Sequence, residues 1–254
     1  MLNDRLRSIQ RTAANVSSPI LFSSSASTRA LFRDHLMARS KRLSRVSTLP
    51  ILYGVLPEKD VQSLPTFDAS RTNDRTHNRS GLSLGYTIDA VPGPVDVLVS
   101  SVRSYIEGFL GRGFLYEKPL IWRNYPLPAE VAGYDVYSNV WHQDPHDGDR
   151  LLKVFVLLTD TYEGDGPLEF LTPSDTQRVY HTEFQSRYSV GTIGKVRDLT
   201  GAQKLTGPRG SYAIVNTAAS LHRAGNPTSH RDMLQLVLLP PWRKREGRKV
   251  YPRP

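Results

Sequence analysis

The sequence predicts a mainly β protein, an antiparallel sandwich or jelly roll with flanking α-helices. Three observations predict it. Six short apolar stretches in the second half are each bounded by Gly, Pro or Asp, as strands joined by turns are. Only one upstream segment has clear helical spacing over several turns. The 254 residues are ordinary for one β domain, and a chain that long buries a core without cross-links, so the lack of cysteine is no handicap.

The elements follow in chain order. Residues 1–48 read as a basic, Ser/Arg-rich extension of one or two helical pieces broken by Pro19 and by Ser23, Ser24 and Ser25. Residues 66–80 are polar without a period and read as a surface loop, a candidate lid together with residues 177–207. After Pro94, the residues Val95, Leu98, Val99, Val102, Ile106 and Phe109 keep helical spacing until Gly111 and Gly113 stop it. From Lys118 the pattern turns to strands: LIWRNY, YDVYSNVWHQD, LLKVFVLLTD, PLEFLTPS, SYAIVNTAA and MLQLVLLPPW. Residues 49–242 form one domain, and residues 243–254 a basic tail.

The charge of +9 is unevenly placed. Residues 1–48 carry +7 and residues 243–254 carry +5, which leaves −3 for the body between them. Basic ends can touch an acidic partner protein, anionic lipid or nucleic acid. Neither end interleaves aromatic platforms with its cations, so no specific nucleic-acid partner is expected. No apolar run reaches a membrane span, and none reads as a secretory core. A cytoplasmic location is the expectation; the Arg- and Ser-rich start gives organelle targeting as the alternative. Without cysteine, thiol nucleophiles, iron–sulfur clusters and thiolate-bound zinc are excluded.

The chemistry concentrates in Trp141-His142-Gln143-Asp144-Pro145. Residues two apart on a strand share a face, so His142 and Asp144 offer an imidazole and a carboxylate side by side. A second imidazole from another strand would complete the 2-His-1-carboxylate face that suits Fe(II) and leaves positions open. His222 ends the apolar stretch from Ser211 and is the best third ligand. Arg231 lies nine residues on, at the start of the next strand, where a guanidinium can hold a carboxylate with two parallel hydrogen bonds. A metal with open positions beside such a clamp fits a bidentate 2-oxo acid cosubstrate.

The stretches WHQDP (141–145), RLLKVFVLLTDTYEGDGPLEFLTPSDT (150–176) and LHRAGNPTSHRDMLQL (221–236) resemble the phytanoyl-CoA dioxygenase-like branch of the Fe(II)/2-oxoglutarate-dependent oxygenases. The resemblance implies a double-stranded β-helix, the cupin-like jelly roll. It implies iron bound by His142, Asp144 and His222, and 2-oxoglutarate bound through its far carboxylate by Arg231. It further implies hydroxylation of a small-molecule substrate using O2, with release of succinate and CO2. Related halogenases carry a small residue where this chain has Asp144, which points to hydroxylation or another oxidation.

Thr159 and Lys153 share a strand face with Phe155 and Leu157. Both are candidate cosubstrate contacts; the other reading of Lys153 is a cation whose stem lies along the strand while its head reaches water. His146 follows His142 at the zinc-helix spacing, but Pro145 blocks a helix there. Two alternatives stay open: an iron oxygenase that does not use 2-oxoglutarate, and a jelly-roll binding protein without catalysis.

Overall fold

In the computed structural model, residues 51–72, 81–131, 136, 138–144, 150–182, 187–188, 202–244 and 246–252 are described. The basic extension 1–48, His35, His77, His146 and most of the candidate lids fall outside them. In chain order the strands are β1 (Leu52–Val55), β2 (Ser83–Thr87), β3 (Leu115–Tyr116), β4 (Leu120–Asn124), β5 (Trp141–His142), β6 (Leu152–Leu157), β7 (Leu168–Phe170), β8 (Arg187–Tyr188), β9 (Gln203–Leu205), β10 (Ser211–Val215), β11 (His222–Ala224), β12 (Arg231–Leu239) and β13 (Lys249–Val250). The helices are α1 (Glu58–Val61), α2 (Gly93–Ser101), α3 (Arg103–Leu110) and α4 (Pro173–Thr182).

Two antiparallel sheets result. The larger runs β1-β10-β6-β12-β3-β13, with β4 also on β12 and β2 on β4. The smaller runs β8-β5-β11-β7-β9. Non-sequential neighbours dominate both, so strands distant in the chain share an edge, as in a jelly roll.

Side-chain alternation in β6 and β12 divides the interior. Leu152, Val154, Val156, Leu234, Leu236 and Leu238 point to one face of the larger sheet and pack with Val95, Leu98, Val99, Ile106, Phe109 and Leu110 of α2 and α3. Phe155, Leu157 and Met233 point to the other face and meet Leu168 and Phe170 of the smaller sheet. A third cluster, with Trp141, Leu171, Val179 and Leu221, lies where α4 meets the smaller sheet.

Four expectations need correction. The helix expected over 95–109 is two helices that break at Val102 (φ −109°, ψ 17°). Ser101 Oγ donates to the Leu98 carbonyl at 2.7 Å and competes for the acceptor that would continue the helix. The stretch PLEFLTPS is a strand only to Phe170, after which α4 begins. Thr172 Oγ accepts from the Asp175 amide at 3.2 Å and donates to its carboxylate at 2.6 Å, while Pro173 takes the first helical position. Thr-Pro-Ser-Asp is thus a helix start. The stretch YDVYSNVWHQD is strand only at Trp141–His142 among its described residues. The basic tail is not loose throughout: β13 pairs with β3, and Tyr251 is buried, stacks on Phe114 at 5.1 Å and donates to Asp96 at 2.7 Å.

No helix among the described residues is long and apolar enough to cross a membrane.

Candidate metal centre

Strands β5 and β11 are neighbours in the smaller sheet, and their register sets His142 directly opposite His222. The two rings lie 4.3 Å apart and both residues are buried. Each ring is turned by its own backbone. His142 Nδ1 is 2.9 Å from the Val140 carbonyl oxygen, and His222 Nδ1 is 3.1 Å from that of Ser220. A carbonyl can only accept, so Nδ1 is the donor in both contacts. Such a bond fixes both the tautomer and the orientation of a ligating imidazole.

Asp144 reaches the same place by another route than strand alternation. β5 stops at His142, and the Asp144 amide donates to the Thr217 carbonyl at 3.1 Å. That bond ties Asp144 to the turn that leads into His222, a turn shaped by Asn216, whose side chain accepts from the Ala218 amide at 3.1 Å. Asp144 Oδ2 consequently lies 3.4 Å from His222 Nε2. One ligand atom from each of His142, Asp144 and His222 falls within 4.8 Å of the others, near enough to share a metal ion. Two imidazoles and a carboxylate are a donor set suited to Fe(II).

Burial opposes the charge of Asp144. The Lys153 ammonium and the imidazoles of His222 and His142 outweigh it and hold the carboxyl below the usual carboxylate range. Lys153 Nζ lies 2.7 Å from Asp144 Oδ2, with its side chain only 15% exposed. Of the two readings the sequence left for Lys153, the inward one fits this position.

The three residues open on a cavity of about 170 Å³ between the two sheets. Trp122 and Phe155, packed edge to face with centroids 6.3 Å apart, form its apolar wall with Leu120 and Leu168. Ser83, Asn124 and Gln235 add neutral polar groups, and Ser83 donates to the Asn124 side chain at 3.0 Å.

Arg231 begins β12 opposite Asn124, fully buried, with Nη1 donating to the Gly225 carbonyl at 3.3 Å. It is not among the residues that line the cavity, although its cross-strand neighbour Asn124 is. Thr159 is not among them either; its hydroxyl accepts from the Asp232 amide at 3.1 Å. His230 is exposed. Sequence reasoning missed Asn124 and Gln235 as parts of the cavity and left Lys153 between a cosubstrate contact and an outward-reaching cation. For Lys153 a signal existed: it is the one charge inside LLKVFVLL, on the same strand face as Phe155.

No family model matches this chain, and none of the curated proteins matches it. Solved structures similar to it include HygX from Streptomyces hygroscopicus with nickel, 2-oxoglutarate and hygromycin B bound, at 13% identity and TM-score 0.43 over 80% of this chain and 87% of that one. A prolyl-4-hydroxylase from Pseudomonas putida is 14% identical with TM-score 0.44, over 81% of this chain and 98% of that one. The α-ketoglutarate-dependent epimerase SnoN from nogalamycin biosynthesis is 16% identical with TM-score 0.45, over 83% of each chain. At such values the likeness assigns no role to any residue, and the reading of the site rests on its own geometry.

Proposed function

We propose that this protein is an Fe(II)- and 2-oxoglutarate-dependent oxygenase of the double-stranded β-helix type, similar to the phytanoyl-CoA dioxygenase-like branch, that hydroxylates a small molecule. The observation that carries this reading is the convergence of His142, Asp144 and His222, with both Nδ1 atoms beside backbone carbonyls two residues earlier in the chain. Bound there, iron together with 2-oxoglutarate and O2 supplies the oxidising power, releasing succinate and CO2. His142 and His222 give neutral nitrogen ligands whose orientation is set in advance, and Asp144 gives the one negative charge. Trp122, Phe155, Leu120 and Leu168 exclude water beside them. Arg231, opposite Asn124, receives the far carboxylate of the cosubstrate.

The full burial of Arg231 favours a second reading, an iron oxygenase that does not use 2-oxoglutarate. Anaerobic calorimetric titration of 2-oxoglutarate onto the metal-loaded protein separates the two. Binding, followed by succinate release that disappears in His142→Ala and Asp144→Ala, is the expected result. Undiminished turnover in both variants ends the metal assignment. Metal binding without 2-oxoglutarate binding leaves the second reading.

A further inference from the structure

The cavity holds one cation among the described residues that line it, and that cation sits against the metal's own carboxylate. Lys153 lies on β6 beside Phe155, between the two sheets. Its Nζ is 2.7 Å from Asp144 Oδ2, the same oxygen that lies 3.4 Å from His222 Nε2. An ammonium in such a wall needs an anion, and Asp144 supplies it. The oxygen facing His222 is also the one a metal between the three residues would use. A divalent ion and an ammonium on one carboxylate oxygen repel each other strongly in a half-buried site.

Arg231 cannot take over the role of Lys153. Along β12, Arg231 stands opposite Asn124 and Val237 opposite Lys153. Six residues of strand separate those two positions, roughly 20 Å of backbone. The two cations therefore serve opposite ends of the inner sheet face, with Asp144 at the Lys153 end.

We infer that Lys153 is an exchangeable counter-ion: it holds Asp144 until a divalent metal takes that oxygen, and its ammonium then pairs with the acid group of the ligand that binds the metal. The ligand half of this inference rests on the oxygenase reading, with the chelating carboxylate of 2-oxoglutarate as that acid group. Lys153 is a positioning residue for the metal and a binding residue for the anion. Its four-carbon stem is flexible enough to leave Asp144 without moving β6.

The inference predicts effects of opposite sign from one substitution. In chelator competition with Ni(II), Lys153→Met binds the metal roughly tenfold or more tighter than the wild type, because a competitor and a repelling charge are gone. In anaerobic calorimetry on the Ni(II)-loaded protein, the same variant binds 2-oxoglutarate roughly tenfold or more weakly. Lys153→Arg, which keeps the charge, stays close to the wild type in both. Melting curves of the three proteins are compared alongside; a damaged fold would weaken both affinities and cannot tighten the first. Metal affinity that is unchanged or weaker in Lys153→Met overturns the exchange. An unchanged 2-oxoglutarate affinity overturns the ligand half. A wild type that binds Ni(II) but no 2-oxoglutarate sinks the oxygenase reading and the ligand half together, while the chelator competition still decides the exchange.

Discussion

The two faces of β6 and β12 differ in kind. On the face toward α2 and α3, Leu152, Val154, Val156, Leu234, Leu236 and Leu238 are apolar and buried, and the one charge of β12 on that face, Asp232 at its start, is paired with Arg123 at 2.6 Å. On the face toward the smaller sheet, the same strands carry Lys153, Phe155, Arg231, Met233 and Gln235. Residues one apart in the chain thus do different work: one set supplies the apolar burial that stabilises the sheet, the other lines or backs a polar cavity at some cost in stability. A strand can bear charges on one face because its other face is fully covered.

The largest expected effect lies on the inner side. His142→Ala, Asp144→Ala or His222→Ala abolishes stoichiometric Ni(II) binding in calorimetry, and circular dichroism confirms that each variant is folded. Retained binding in any one of them breaks the division, because it would remove that residue from the site.

On the outer face the expected effects reverse. Leu236→Ala lowers unfolding stability by about 2–5 kcal/mol in denaturant titration, through lost burial and the cavity left behind. The folded fraction still binds Ni(II) as the wild type does. A variant that loses both together would mean that the two faces are coupled.

A smaller effect belongs to the start of α4, which packs behind the smaller sheet. Thr172→Ala removes the hydroxyl that serves the Asp175 amide and costs about 1 kcal/mol. Chemical denaturation of this variant measures it, and no loss would show the cap to be idle.

The last effect is in acid. The Asp144 carboxyl titrates below its ordinary value of 3.8 in the folded chain. Its contribution to stability is therefore fully present above that value and fades as pH falls further, toward the folded titration point. Without metal, Asp144→Asn lacks that part of the acid-induced loss. Identical stability-against-pH curves for the two proteins would show that the Lys153 pair contributes nothing.

Much of this was legible in the chain. The apolar runs at 120–124, 152–157, 211–215 and 231–239 are strands because their β-branched and large apolar residues fill both faces of a sheet that is covered on both sides. His142, Asp144 and His222 stood out only as a set: a His-x-Asp pair is weak by itself, and it was the distal His222 with Arg231 nine residues on, each by a predicted strand, that singled them out. The short strands β8, β11 and β13 carry no such signal, since two or three residues are too few to show a period. The helix start at Thr172 was hidden by the apolar PLEFL before it.

Local pattern by itself determined that this chain is mainly β, where its long strands lie and which side chains can ligate a metal, because alternation and turn residues act over a few neighbours. Only the tertiary structure decided that Asp144 is aimed by the Thr217 carbonyl, that Lys153 faces inward onto Asp144, and that Arg231 is fully buried opposite Asn124. Those facts depend on which strands become neighbours across eighty or more residues, and pairing at that range is set by the whole packed core rather than by any local stretch of sequence.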